Sequence, residues 1–160
     1  MIDKRNLLVI SDTHGDTESI ERLLNKDLQF DCIIHLGDFM SDARSIKTTK
    51  DVICIKGNGD FYSFCKEEKI IVINGKRIFL THGHRYNIKQ TCENLICKSA
   101  EINADLILFG HTHEMVLFEK EGRIFFNPGS LGRPRRTWET TYGLVTIDKD
   151  NISIKSHVLD

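Results

Sequence analysis

Proline is nearly missing from this 160-residue chain, which has only two, and no Pro/Ser-rich tract, low-complexity stretch or fixed-period repeat divides it. That leaves no candidate linker, so residues 1–160 read as one domain. An apolar content of 40% at this length supplies a sizeable core. A surplus of one charge is also lacking, since 22 basic residues face 23 acidic ones. Nothing global therefore points to nucleic acid or to an anionic membrane. No apolar run approaches the roughly 20 residues that span a bilayer. The charged start Met1–Asn6 leads into too short an apolar stretch for a signal-peptide core. The expectation is a soluble, cytoplasmic protein with no membrane partner. The five cysteines are odd in number and include no Cys-x-x-Cys pair. This argues against a disulfide framework or a structural zinc site and predicts reduced thiols buried as small hydrophobes.

What the chain does have is a repeated arrangement. Five apolar runs, Leu7–Ile10, Ile33–Leu36, Val52–Ile55, Ile78–Leu80 and Leu106–Phe109, each lead into a motif with metal-binding side chains. The motifs are Ser11-Asp12-Thr13-His14-Gly15, Gly37-Asp38, Gly57-Asn58-Gly59-Asp60, Thr81-His82-Gly83-His84 and Gly110-His111-Thr112-His113. Runs of this length bounded by Gly and polar residues predict buried strands. Most of the motifs then fall at carboxyl ends of strands, the edge where open α/β sheets build their sites.

Residues 16–28 put Ile20, Leu23, Leu24 and Leu28 on one stripe, predicting a helix with Asp16 or Thr17 as N-cap. With the strands on either side it forms a parallel crossover unit. A second helix is predicted over 87–102, with Ile88, Cys92, Leu95 and Ile96 inside and Asn87 with Gln90 as a capping box. Ile70–Ile73 and Arg77–Thr81 flank Asn74-Gly75, a type I′ hairpin signal whose loop could extend into Lys76. Two further strand pairs are Met115–Phe118 with Arg123–Phe126, and Tyr142–Ile147 with Ile152–Val158. Roughly ten strands are too many for one comfortable open sheet. The predicted fold is α/β: a four-layer αββα sandwich of two mixed β-sheets flanked by helices.

Asp12, His14, Asp38, Asn58, His82, His111 and His113 form the candidate ligand set. All offer oxygen or imidazole nitrogen and none is a thiolate, which suits Mn²⁺, Fe, Zn²⁺ or Ni²⁺ in an open catalytic site. The set is too large for one tetrahedral ion but divides between two divalent metal ions if a carboxylate bridges. Asp38 is the candidate bridge, because Gly37 lets the backbone approach closely there. Two ions about 3.5–4 Å apart can clamp a phosphate and activate water at neutral pH. Each motif alone has a plainer explanation. A His-x-His on a strand merely shares a face, Asp-x-His fits an N-cap, and Gly-Asp and Gly-Asn are common turn dipeptides. Their joint occurrence at strand ends outweighs these.

The succession Asp12-x-His14, Gly37-Asp38, Gly57-Asn58, His82 and Gly110-His111-x-His113 resembles the calcineurin-like metallophosphoesterases. The short length, Thr81-His82-Gly83-His84 and Asn127-Pro128-Gly129-Ser130 are similar to its small bacterial and archaeal phosphodiesterase subgroup. The resemblance spans about residues 7–132. It implies the same αββα sandwich and a dinuclear centre, with manganese the favoured metal. It further implies one ion on Asp12, His14, Asp38 and His113, and another on Asp38, Asn58, His82 and His111. Many members carry His or Cys where this chain has Gly59, so the usual proton donor to the leaving group lacks its owner. The second departure follows Asp38: the chain continues Phe39-Met40-Ser41-Asp42, in place of the acidic spacing of larger members.

His84, two residues past His82, is the candidate replacement: it contacts the scissile phosphate or serves as general acid, or else is a hydrogen-bonded surface imidazole. Asp60 reads as orienting a ligand or holding its loop. His35 and His157 read as structural. The loop Gly132-Arg133-Pro134-Arg135-Arg136 could take a second phosphate, a nucleotide backbone or an acidic partner, or simply be solvated. Neighbouring Trp138 could stack on a base or pack in a homo-oligomer. The function expected is a divalent-metal-dependent phosphoesterase, more a phosphodiesterase than a monoesterase, acting on a small phosphodiester or nucleotide-type substrate. Asp38, Asn58 and His84 are its candidate catalytic residues, with a metal-held hydroxide at Asp38 attacking phosphorus in line. The rivals are a binding scaffold that keeps the fold without catalysis, similar to the retromer subunit of this superfamily, and a nuclease gripping nucleic acid with the arginine loop.

Overall fold

In the computed structural model, which describes residues 4–160, the apolar runs become strands because their side chains alternate between separate hydrophobic layers. In β1 (Arg5–Ile10), Leu7 and Val9 enter one core cluster and Leu8 and Ile10 another. β2 (Cys32–His35) divides Ile34 from Ile33 in the same way. In β5 (Lys76–Thr81), Ile78 and Leu80 join the first cluster and Phe79 a third. Strands covered on both faces need such runs of apolar residues.

The first sheet adds β3 (Asp51–Cys54), β9 (Thr141–Ile147) and β10 (Ile152–Val158), in the order β10-β9-β1-β2-β3. Its β1, β2 and β3 are parallel, and β9 runs antiparallel to β1 and β10. The second sheet adds β4 (Glu68–Ile73), β6 (Leu106–Leu108), β7 (Met115–Lys120) and β8 (Arg123–Pro128), in the order β4-β5-β6-β8-β7. There β5, β6 and β8 are parallel, with β4 and β7 antiparallel at the edges.

The first cluster lies between the sheets, joining Leu7, Val9, Ile34 and Leu36 to Ile78, Leu80, Leu106 and Phe126. Helix α1 (Thr17–Leu24) covers the outer face of the first sheet, with Ile20 and Leu23 on Leu8, Ile10 and Ile33. Helix α3 (Glu93–Glu101) covers the second through Leu95 against Phe79, Ile107 and Phe125. These layers make the α/β sandwich. Each fully buried Leu or Ile contributes about 1.5–3 kcal/mol.

Local differences from the sequence expectations have physical causes. Asp16 does cap α1, accepting Ser19 N–H at 3.0 Å and Ser19 Oγ–H at 2.7 Å. The helix ends at Leu24, however, and Leu28 packs on the same cluster from the loop. α3 starts at Glu93 rather than 87, because Asn87 is left-handed (φ 55°) after a single 3₁₀ turn at His84–Tyr86. The capping box at Asn87 therefore does not form, although Ile88 is buried all the same. A further short helix, α2 (Met40–Ser45), has too few residues to display a stripe in sequence. Asn74 and Gly75 both take positive φ between paired Ile73 and Lys76, so that hairpin loop has two residues and stops before Lys76. The cysteines are all free, but none is fully buried and Cys97 is exposed.

Candidate metal centre

The motifs after β1, β2, β3, β5 and β6 meet at one edge of the sandwich, held together by the backbone. Asp12 N–H donates to Gly37 O at 3.0 Å, His14 N–H to Asp38 O at 3.2 Å, and Gly110 N–H to His82 O at 3.2 Å. Asp12, His14, Asp38, His111 and His113 all adopt left-handed backbone, with φ of 54°, 47°, 49°, 71° and 60°. Such conformations cost on the order of 1 kcal/mol or more each and persist where surrounding structure imposes them, often at functional sites. The approach of the loops depends on glycine: a Cβ on Gly37, itself at φ 96°, would lie 2.6 Å from Gly57 N.

Hydrogen bonds then decide which atoms face inward. Ser11 Oγ–H (2.6 Å) and His111 N–H (3.1 Å) both donate to Asp12 Oδ2. Asp12 Oδ1 is left buried without a hydrogen-bond partner. Gly59 N–H donates to Asp38 Oδ1 at 2.7 Å, freeing Oδ2. His82 Nδ1–H donates to Leu36 O at 2.7 Å and His113 Nδ1–H to Arg133 O at 2.5 Å. A carbonyl only accepts, so both rings carry a hydrogen on Nδ1, and in its neutral form each turns a bare Nε2 inward. His82 Nε2 is likewise buried without a hydrogen-bond partner, 3.5 Å from Asp38 Oδ2 and 3.8 Å from Asp12 Oδ1. His113 Nε2 lies 3.2 Å from Asp12 Oδ1 and 3.2 Å from His14 Nε2. Acceptors thus face acceptors across a small space, the arrangement a cation resolves.

Two groups of side chains could each hold an ion: Asp12 with His14 and His113, and Asp12 with Asp38 and His82. Asp12 is common to both, and Asp38 Oδ2 also faces His14 Nε2 at 3.8 Å as well as His82. His111 lies beside the second group, its ring 5.1 Å from that of His82. Asn58 is on the adjoining loop with its side chain exposed. His84 comes to the same place by a turn at Gly83 (φ 96°) rather than along an extended strand. Its ring centroid is 5.5 Å from His82 and 6.1 Å from His111, with Nδ1 buried and lacking a hydrogen-bond partner. His157 stacks on Tyr142 at 5.2 Å, away from this cluster.

Burial is the largest influence on both carboxyls and opposes their charge. At Asp12, His113 and His82 outweigh it; at Asp38, His82 and the Gly59 N–H do, so both stay below the ordinary range. Burial pushes His14, His84 and His111 down, the last to about 4, with His82 adding to the effect on His84 and His111. At His82 burial acts the same way, but Asp38 and Asp12 overcome it and raise its pKa. Ionised carboxylates beside mostly neutral imidazoles are the protonation states that metal ligands require.

Asp60 holds its loop as expected from its motif, and several further supporting residues are not evident from the motifs. Asp60 accepts N–H bonds from Asp38 (3.1 Å), Met40 (2.8 Å) and Gly57 (2.8 Å), so it holds the loop. Asp42 accepts Thr13 Oγ–H at 2.6 Å and Gly15 N–H at 2.8 Å, tying the first two motifs together. Asn127 donates to Gly110 O at 2.9 Å and Ser130 to Asp12 O at 2.8 Å. In the basic loop, Arg133 orients His113 through its carbonyl and Arg136 pairs with Glu114 at 2.8 Å. Trp138 is exposed. The available sequence signal was small: polar residues within or beside apolar strands.

A model of the calcineurin-like phosphoesterase superfamily domain matches residues 6–150. The chain is 32% identical over 151 residues to YsnB of Bacillus subtilis, a probable metallophosphoesterase, covering 94% of this chain and 89% of that protein. It is 27% identical over 175 residues to phosphodiesterase YfcE of Escherichia coli K12, covering 92% and 90%. A solved structure of a conserved protein from Streptococcus pneumoniae, assigned as a phosphoesterase from sequence, superposes with a TM-score of 0.83 at 28% identity, covering 100% and 92%. With the donor set and the sandwich already in place, these likenesses assign the chain to the calcineurin-like phosphoesterase superfamily.

Proposed function

We propose that this phosphoesterase hydrolyses phosphodiesters in preference to monoesters and does so with two divalent ions, Mn²⁺ foremost. The observation that carries the reading is the convergence of Asp12 Oδ1, Asp38 Oδ2 and the bare Nε2 atoms of His82 and His113. One ion would be held by Asp12, His14, Asp38 and His113, and the other by Asp38, Asn58, His82 and His111. When bound, the ions supply Lewis acidity, lowering the pKa of water and stabilising charge on phosphoryl oxygens. Asp38 stands between the two groups, and Gly59 N–H fixes its carboxylate. His84 Nδ1, buried beside His82 and His111 without a hydrogen-bond partner, would meet a phosphate oxygen or the leaving group. Its lowered pKa makes it a neutral hydrogen-bonding imidazole at pH 7, a weak supply of protons. Substrates with good leaving groups, such as aryl esters or phosphoanhydrides, therefore suit the site best. The phosphodiesterase name of YfcE supports the preference for diesters.

The test is hydrolysis of bis(p-nitrophenyl) phosphate with Mn²⁺, against a chelator control and Asp38→Asn. Turnover should be lost in both controls, and p-nitrophenyl phosphate should be the poorer substrate. Equal rates in all three conditions would sink the enzyme reading. His84→Ala should slow an alkyl phosphodiester more than the aryl one, and unchanged rates on both would remove His84 from the reaction.

A further inference from the structure

Beside the candidate metal centre lies a cavity of about 370 Å³ whose walls include Phe39, Met40, Arg44, Gly59, Phe61 and Tyr62. Small-molecule sites span about 300–1,000 Å³ and are mostly apolar with a few polar groups. The cavity and the centre share two boundaries. The Phe39 ring stands edge-on to the His14 ring with centroids 5.2 Å apart. Gly59 belongs to the cavity wall while its N–H holds Asp38 Oδ1 at 2.7 Å. A Cβ at residue 59 would sit 3.1 Å from that oxygen, so any side chain there would stand between cavity and carboxylate. The missing side chain at Gly59 is a doorway as well as a lost proton donor.

The walls select for a flat ring. Phe61 and Tyr62 in the wall are 80% and 101% exposed, and Phe64 just beyond it is 103% exposed, an apolar surface unusual on an uncomplexed loop. Aromatic side chains beside a phosphate site are stacking partners for bases. The Asp60 carboxylate in the wall is turned onto its own loop and that of Asp38, where it accepts from three backbone N–H groups. Arg44 is the cation available there, and guanidinium groups stack on bases or donate to their acceptor edges. A sugar or flexible alkyl group would leave these faces unmatched.

We infer that this cavity is a subsite for the nucleobase of a nucleotidyl phosphodiester, whose scissile phosphate lies at the Asp12–Asp38 cluster. This rests on the phosphodiesterase reading above and names its substrate class.

Equilibrium binding to the full, Mn²⁺-loaded chain tests it without requiring turnover, using adenosine 5′-monophosphate and ribose 5-phosphate in a calorimeter. The nucleotide should bind about tenfold more tightly, the worth of one stacked base. Phe61→Ala and Tyr62→Ala should each erase most of that preference while leaving ribose 5-phosphate binding unchanged, which also reports a folded site. Equal affinities, no nucleotide binding at millimolar concentration, or a preference that survives both substitutions would overturn the subsite. So would variants that keep the preference but change molecular mass by light scattering, since the loop would then be a self-association surface. Hydrolysis of the bis-aryl diester is scored separately, so failure of the subsite leaves the esterase reading standing, and the reverse.

Discussion

His35 interrupts an apolar strand, and its neighbours permit one tautomer. Gly37 N–H donates to Nδ1 at 3.2 Å, so the ring hydrogen is on Nε2, which reaches Thr13 Oγ at 3.0 Å. The Thr13 hydroxyl passes on to Asp42, so the relay links the loop of Asp38 to that of Asp12 and His14. Burial pushes the His35 pKa from 6.5 down to about 4, and Asp12, Asp42 and Asp60 offset only part of this. A proton on Nδ1 would also oppose the Gly37 N–H. Because the folded pKa is the lower, the unfolded chain takes up the proton first. Stability from this group is complete above about pH 6.5 and is lost as pH falls toward 4, by about 3 kcal/mol at most. Urea denaturation of the chelator-treated protein should show the drop between pH 7 and 4.5. His35→Gln should flatten it and lower stability at pH 7. The same pH dependence in both proteins would assign the loss to other groups.

Between elements, two glycine turns serve different ends. Gly75 completes the β4–β5 hairpin at φ 79°, and an added Cβ there meets nothing within 4 Å. Gly75→Ala should cost only the left-handed strain, about 1 kcal/mol, with hydrolysis intact. Gly37→Ala must displace the Gly57–Asp60 loop from Asp38, so Mn²⁺ affinity and turnover should fall at least about tenfold, as when a ligand's support is lost. Comparing melting temperatures and diester rates of the two variants separates the roles; full activity in Gly37→Ala would show that the loops need not touch. The strands and this hairpin were legible because their signals are local, short apolar runs bounded by Gly and polar residues and an Asn-Gly pair. Helix ends were not, since Leu28 and Ile88 join the core clusters from loops, as residues of a helix would. At the site, the strand-end Asp and His residues were legible from placement alone. Of their supports, Asp60 was legible as a loop-holding residue, but the partners were not: Thr13 finds Asp42 29 residues away and Asp38 finds Asp60 22 away, distances over which sequence spacing carries no geometry. The left-handed backbone of Asp12, His14, Asp38, His111 and His113 had no sequence signal either.

At the scale of the whole molecule, the cluster of candidate metal ligands is a joint between the two sheets. Asp12 and Asp38 follow β1 and β2 of the first sheet, while His82 and His113 lie beyond β5 and β6 of the second. The polypeptide already crosses this joint through His82 Nδ1–H to Leu36 O, across 46 residues, and Ser130 Oγ–H to Asp12 O, across 118. Ions shared among these side chains would bind only when both sheets are folded and docked, so their binding free energy adds to native stability. At about 100 times the dissociation constant this amounts to about 2.7 kcal/mol. For a chain of this length that is a rise in melting temperature of roughly 5–10 °C. Thermal denaturation of chelator-treated protein with and without Mn²⁺ should show that rise, and Asp38→Asn should abolish it, because Asp38 is the ligand the two proposed ions share and its Oδ2 faces both His14 and His82. A substitution confined to one group, His113→Ala, should retain part of it. If Mn²⁺ left the melting temperature of the unaltered chain unchanged at concentrations that saturate hydrolysis, the ions would not link the sheets, and the unpaired buried donors would need another explanation.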